Sequence, residues 1–171
     1  MKYFEQETDY TCALACLRMV FSKHGLDISE QELTKELKPS SKHGTNKDDL
    51  VEFIKSKGFE AESVENSSID AVRKSKSEGY EIILLVSVDV PHCIVYLDDN
   101  GNHLKYHDPY FGDNKSVSIK KFVSKNTAYP SIRWRTDIDA LVKYYFENEL
   151  NLKELRKQEG VCQFIKIKYV K

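Results

Sequence analysis

The sequence predicts an α+β domain, with helices gathered in its amino-terminal part and antiparallel strands in much of the remainder. Three features carry this expectation: apolar residues at helical spacing from Cys12, a hairpin signature at Asp99-Asn100-Gly101, and an alternating apolar segment near the last residue. With 171 residues the chain fits one domain able to bury a core of its own.

Cys12, Ala15, Cys16, Met19 and Val20 fall on one face of a helix over 12–24, with Thr11 placed to cap it and Gly25 to stop it. Ser29 and Glu32 form a capping-box pattern, so a second helix begins near Ser29 and ends before Pro39. A loop over 39–45 leads to a third helix over 47–57, closed by Gly58. A short strand over 59–64 and a helix over 68–77 follow. The segment 82–88 is apolar at successive positions, as a strand covered on both faces must be, and Pro91 breaks it. Strands over 92–98 and 103–108 flank Asp99-Asn100-Gly101, and Pro109 ends the second because it has no N–H for the ladder. Further on, 118–124 reads as a short helix and 137–148 as a longer one, with Leu141, Tyr144 and Tyr145 on one side. Ile165, Ile167 and Tyr169 alternate with Lys166 and Lys168 in an amphipathic strand over 161–170. With no repeat, low-complexity tract or flexible linker, a single domain over 1–171 is expected.

Composition narrows the function. The 26 basic and 27 acidic side chains are interspersed, so nothing in the charge calls for nucleic acid or an anionic membrane as partner. The start, Met1-Lys2-Tyr3-Phe4-Glu5-Gln6, lacks the apolar core of a secretory signal, and the run over 82–88 is too short to span a bilayer. A cytoplasmic protein is expected. Cys12, Cys16, Cys93 and Cys162 are scattered in a domain large enough to stand without staples, so they read as reduced thiols. No metal or cofactor is expected, since neither Cys12 with Cys16 nor His103 with His107 falls in a familiar zinc spacing. His24, His43, His103 and His107 read as surface or loop residues, and Trp134 as a buried anchor for the tail.

Cys12 is the candidate nucleophile. At the first turn of a helix, free N–H groups and the positive dipole end favour the thiolate, the form that attacks carbonyls. The competing reading is a small buried hydrophobe, the commonest fate of a free cysteine; Cys16, one turn on, packs inward. If the hairpin loop centres on Asn100, His92 faces Asp108, the pairing of an imidazole base with an orienting carboxylate. Ile94 then opposes Tyr106 and Tyr96 opposes Leu104. A two-residue Asn100-Gly101 turn instead pairs Cys93 with Asp108, Val95 with Tyr106 and Leu97 with Leu104. The catalytic reading therefore needs an odd-length loop or a bulge. Gln6, just upstream of Cys12, is a candidate oxyanion donor beside the Cys12 backbone N–H, with plain surface decoration as its alternative.

Gln6, then Thr11-Cys12-Ala13-Leu14-Ala15-Cys16-Leu17-Arg18-Met19-Val20 and His24-Gly25, resembles the opening of the bacteriocin-processing cysteine peptidases. The likeness continues through Gly44-Thr45, Gly58-Phe59 and His92-Cys93-Ile94-Val95 to Asp108-Pro109-Tyr110-Phe111-Gly112. This resemblance implies a papain-like fold, its nucleophile on an amino-terminal helix packed against an antiparallel sheet. It also implies cleavage of leader peptides after a small-residue pair, with Cys12 as nucleophile, His92 as base then acid, Asp108 orienting His92, and Gln6 in the oxyanion hole. Residues 1–135 correspond to the family core, and 136–171 to a helix and strand extension packed on it. Ala13 stands where the family usually has glycine, and Cys93 where it has a bulkier residue. The implied partner is a peptide or protein substrate, with a separate partner protein left open.

Two other classes share these residues. A papain-like thiol can deamidate glutamine or pass its acyl group to an amine, because the first half-reaction is common and the acceptor decides the outcome. A non-catalytic peptide-binding module would keep the fold without a reactive thiol.

Overall fold

The computed structural model describes residues 1–87, 91–126 and 162–170. In chain order its elements are α1 (Cys12–Lys23), α2 (Glu30–Leu37), α3 (Lys47–Ser56), β1 (Phe59–Ser67), α4 (Ile69–Ser77), β2 (Glu81–Ser87), β3 (Pro91–Asp99), β4 (His103–Asp108), β5 (Gly112–Ser118), α5 (Ile119–Asn126) and β6 (Cys162–Tyr169). The helix expected over 137–148 and the setting of Trp134 lie outside the described residues.

The local signals explain most of these boundaries. Ser29 and Glu32 close the capping box that starts α2, and the Asn46 side chain accepts from the Asp48 and Asp49 N–H groups to start α3. Gly25 and Gly58, at φ of 76° and 84°, take the left-handed turn that ends α1 and α3 at low cost. Pro91 opens β3, a place where its missing N–H does least harm.

The strands form a six-stranded antiparallel sheet in the order β1-β6-β2-β3-β4-β5. Successive side chains of the inner strands enter different cores. Ile83, Val95, Ile165 and Ile167 pack with α1, α2 and α3, whereas Ile82, Leu84, Ile94, Tyr96 and Phe164 pack with Val72 and Phe122 of α4 and α5. Thus the sheet is covered on both sides, as the apolar run of β2 predicts. In α1, Ala13 to Leu17 and Met19 to Phe21 are all buried, so this helix lies inside the first core instead of resting on it.

Two strands differ from expectation. The carboxy-terminal strand, read as an extension packed on the core, is an inner strand paired with both β1 and β2. Its alternation of apolar residues and lysines suggested one wet face. Yet Phe164, Ile165 and Ile167 are buried, and the Lys166 ammonium reaches out to Glu62. Strand β5, Gly-Asp-Asn-Lys-Ser-Val-Ser, has no counterpart in the sequence reading. It is a polar, half-exposed edge strand whose residues have little β propensity, and only its pairing with β4 makes it a strand.

Because β6 joins β1 to β2, its core side chains should carry much of the stability. Phe164→Ala is expected to lower the unfolding free energy by about 3–5 kcal/mol, the usual cost of emptying a buried phenylalanine site. Urea denaturation with an unchanged slope checks this, and a loss under about 1 kcal/mol would make β6 peripheral.

Candidate active site

The tip of α1 carries Cys12, and what precedes it leaves that tip open. Thr11 was expected to cap the helix, but its side chain makes no capping hydrogen bond. Its Oγ1 turns backwards, donating to the Thr8 carbonyl and accepting from the Thr8 N–H, both at 3.1 Å. The first-turn N–H groups are therefore not taken up by the cap. The preceding segment is held by the buried Glu30 carboxylate, which accepts from the Glu7 N–H at 2.8 Å.

The sheet meets this tip where β3 begins and β4 ends. Neither hairpin register read from the sequence occurs. Tyr96 pairs with Tyr106 and Val95 with His107, while nearer the turn Asp98 pairs with Lys105, a bulge intervening at Leu97. The bulge restores the parity that an Asn-Gly turn would have destroyed. Accordingly Ile94, Tyr96, Leu104 and Tyr106 share one core, as the catalytic register required, although none of the predicted direct partners is correct. His92 and Asp108 are not opposite each other either. The β3–β4 ladder stops at Val95 and His107, and the two side chains meet beyond it, His92 Nε2 lying 2.8 Å from Asp108 Oδ1.

Asp108 is the anchor of the site. Its Oδ1 also accepts the N–H groups of Tyr110 at 2.9 Å and Phe111 at 3.1 Å, an Asx turn that the Asp-Pro step foreshadows. The Tyr3 hydroxyl donates to its backbone carbonyl at 3.0 Å. One residue on, the Pro109 carbonyl accepts the Gln6 N–H at 3.0 Å, which brings the amino-terminal segment to the site. The Gln6 amide itself donates through Nε2 to the Thr8 carbonyl at 2.7 Å, and its Oε1 is buried with no hydrogen-bond partner among the described residues. His107, read as a surface residue, is instead buried beside the Tyr3 ring, its Nδ1 accepting the Asn114 N–H. A register shift between β4 and β5 turns it inward.

These contacts set the charges. The Cys12 thiol is lowered to about 5. A hydrogen bond from the Cys93 thiol is the largest cause; burial opposes it, and hydrogen bonding and attraction from His92 add to it. His92 is raised to about 9: burial alone would lower it, but Asp108 and the Cys12 sulfur outweigh that cost. Burial pushes the Asp108 carboxyl up, and the hydrogen bonds from His92, Tyr110 and Phe111 overcome it and hold the group below the usual range. With Nε2 engaged by Asp108, Nδ1 is the ring nitrogen left for sulfur. Near neutral pH the arrangement is a thiolate beside an imidazolium. Among the described residues, no cluster of His, Cys, Asp and Glu could hold a metal ion.

A cysteine at the tip of a buried helix, set against an imidazole on an antiparallel sheet, has the architecture of a papain-like cysteine peptidase. The model of the Peptidase C39 family matches residues 1–134, and the chain belongs to that family as a cysteine peptidase-like hydrolase. Among solved structures it is similar to the peptidase domain of Streptococcus ComA, a bi-functional ABC transporter of a quorum-sensing pathway, with a TM-score of 0.67 and 18% identity, covering 99% of this chain and 100% of that one. A double glycine motif protease from an AMS/PCAT transporter, solved with the leader peptide, matches with a TM-score of 0.61 and 17% identity, covering 96% and 90%. The peptidase domain of Streptococcus mutans ComA matches over 73% of this chain and 92% of its own, with a TM-score of 0.53 and 22% identity. No curated protein matches the chain. Among the described residues, no helix is long and apolar enough to cross a membrane.

The paired shifts predict a pH profile. A depressed thiol is charged above its own value and loses its charge as pH falls through it, so Cys12 labelling by iodoacetamide should decline only near pH 5. A free cysteine would already be failing below about pH 8.5. Labelling of Cys12 that tracks an ordinary thiol would remove the ion pair.

Proposed function

We propose that the chain cuts peptide bonds through a thioester acyl-enzyme, with leader peptides ending in a pair of small residues as its substrates. The observation that carries this reading is the pairing of the Cys12 sulfur with His92, itself held by the buried Asp108 carboxylate. Cys12 attacks the scissile carbonyl, and the charge that develops on oxygen is met by the uncapped Cys12 N–H and the remaining N–H of the Gln6 amide. His92 gives its proton to the leaving amine. As a neutral base it then takes one from water, which hydrolyses the thioester and returns the thiolate. Asp108 orients the ring and stabilises its charged form throughout.

Membership of a peptidase family supports peptide-bond cleavage, and the leader peptide bound by the similar double glycine protease supports the substrate class. Tyr110 and Phe111, exposed next to Asp108, supply an apolar edge for peptide side chains. In this reading residues 1–171 work as one domain on substrates supplied by a separate protein. A cytoplasmic setting fits the four free thiols.

Incubating the protein and its Cys12→Ala variant with candidate leader peptides, followed by mass spectrometry, tests this. Truncation that requires Cys12 is expected; a mass gain of about 1 Da at glutamine, the amide-to-acid difference, would mean deamidation and overturn the peptidase reading. His92→Ala should reduce kcat/KM by about 10²–10⁴-fold, the usual worth of a positioned acid–base group. Asp108→Asn should move the alkaline limb of kcat/KM below pH 9, because the imidazolium loses the carboxylate that raises it. An unmoved limb would remove Asp108 from that role.

A further inference from the structure

Three sulfurs gather beneath the site, and peptide cleavage uses only one of them. Cys93, beside His92 on β3, offers Cys12 two donors, its backbone N–H and its thiol. Its side chain is 7% exposed and lies in the same core as Cys16, with the half-buried Cys12 packed against that core. Packing of α1 on β3 holds this contact in the resting fold. A disulfide needs its sulfurs to close to about 2.05 Å, and the shared packing of Cys12 and Cys93 between α1 and β3 sets the two side chains on the same core.

We propose that Cys93 is a resolving thiol: when a hydroperoxide oxidises Cys12, the two cysteines close a reversible disulfide that switches the enzyme off and protects Cys12 from overoxidation. The inference rests on the reading of Cys12 as a reactive thiolate. In the first step the Cys12 thiolate attacks the outer peroxide oxygen, the O–O bond breaks, and the departing alkoxide takes the proton of the His92 imidazolium. Cys12 is then a sulfenic acid. In the second step Cys93 gives its proton to the neutral His92, its sulfur attacks that of Cys12, and the hydroxide released recovers the proton as water. Overall, two thiols and one hydroperoxide become a disulfide, an alcohol and water.

The same contact times the reaction. While Cys12 is a thiolate, that sulfur's demand for the Cys93 proton keeps Cys93 protonated and inert, its ionisation also opposed by burial. Once Cys12 carries oxygen, its charge is gone and the restraint is lifted. The other two cysteines are poorly placed to compete. Cys16 follows Cys12 by four residues on one helix, a spacing that sets Cβ atoms about 5–6 Å apart, whereas a disulfide asks for about 3.5–4.5 Å. Cys162 belongs to the core on the other face of the sheet.

The test begins with the reduced full chain, in which iodoacetamide labelling of Cys12 is timed. Hydrogen peroxide is then added, free thiols are blocked with N-ethylmaleimide, and tryptic peptides are mapped without reduction. The expected product joins peptide 3–18 to peptide 77–105, with fragmentation placing the link at Cys12 and Cys93. Dithiothreitol should return nearly all Cys12 labelling in the parent and in Cys162→Ser. In Cys93→Ser and Cys93→Ala it should return several-fold less, because unresolved sulfenic acid proceeds to sulfinic acid. Fast labelling with no link, a link through Cys16, or equal recovery without Cys93 overturns this proposal alone. Slow labelling of reduced Cys12 overturns the thiolate reading and this proposal with it.

Discussion

The packing of α1 against β3 decides what this chain can do. A helix with an uncapped tip is an ordinary object, and so is a strand that begins with proline and histidine. Brought together, they put a sulfur, an imidazole and a second thiol within hydrogen-bonding reach. The contact persists because Leu14, Leu17, Met19 and Phe21 are fully buried and cannot shift without opening the core. Reactive groups on rigid elements keep their geometry better than the same groups on loops. Here Cys12 rides a helix and His92 a strand, and a turn contributes only backbone N–H groups to Asp108.

The electrostatics follow from the same burial. Each of the three ionisable groups would be penalised alone in this environment, and each is charged because its neighbour is. Removing one member leaves a desolvated charge without a partner, so the set behaves as a unit whose apparent titrations belong to the group as a whole. Tyr3 and Gln6 bind the backbone on either side of this unit, at the carbonyls of Asp108 and Pro109, and tie the amino-terminal segment to the far end of the hairpin.

Much of this was legible in the residues, for reasons that can be stated one by one. Helix α1 announced itself through apolar spacing and α2 through its capping box, because helical order depends on near neighbours in sequence. Whether His92 and Asp108 share a face stayed open in the sequence, because two hairpin registers matched apolar residues equally well. The bulge at Leu97 is decided by how the whole sheet packs and carries no residue signature of its own. Strand β5 was hidden for a related reason: its residues are polar and its order is borrowed from β4. The inner position of β6 was equally hidden, since lysines that extend to the surface look the same in sequence whether their strand is central or marginal. The role suggested for Cys93 was invisible until it was seen which sulfur lay against it.

Strand β6 enters the sheet between two strands made long before it, and this has a consequence for biosynthesis. Translation delivers α1 first, with its thiol, and the hairpin bearing His92 and Asp108 soon afterwards. The gap between β1 and β2 stays unfilled until the segment from Cys162 to Tyr169 leaves the ribosome. Contacts spanning so much chain form late, since a large loop must close before they are rewarded. A nascent chain therefore carries Cys12, His92 and Asp108 before it carries the strand that joins β1 to β2.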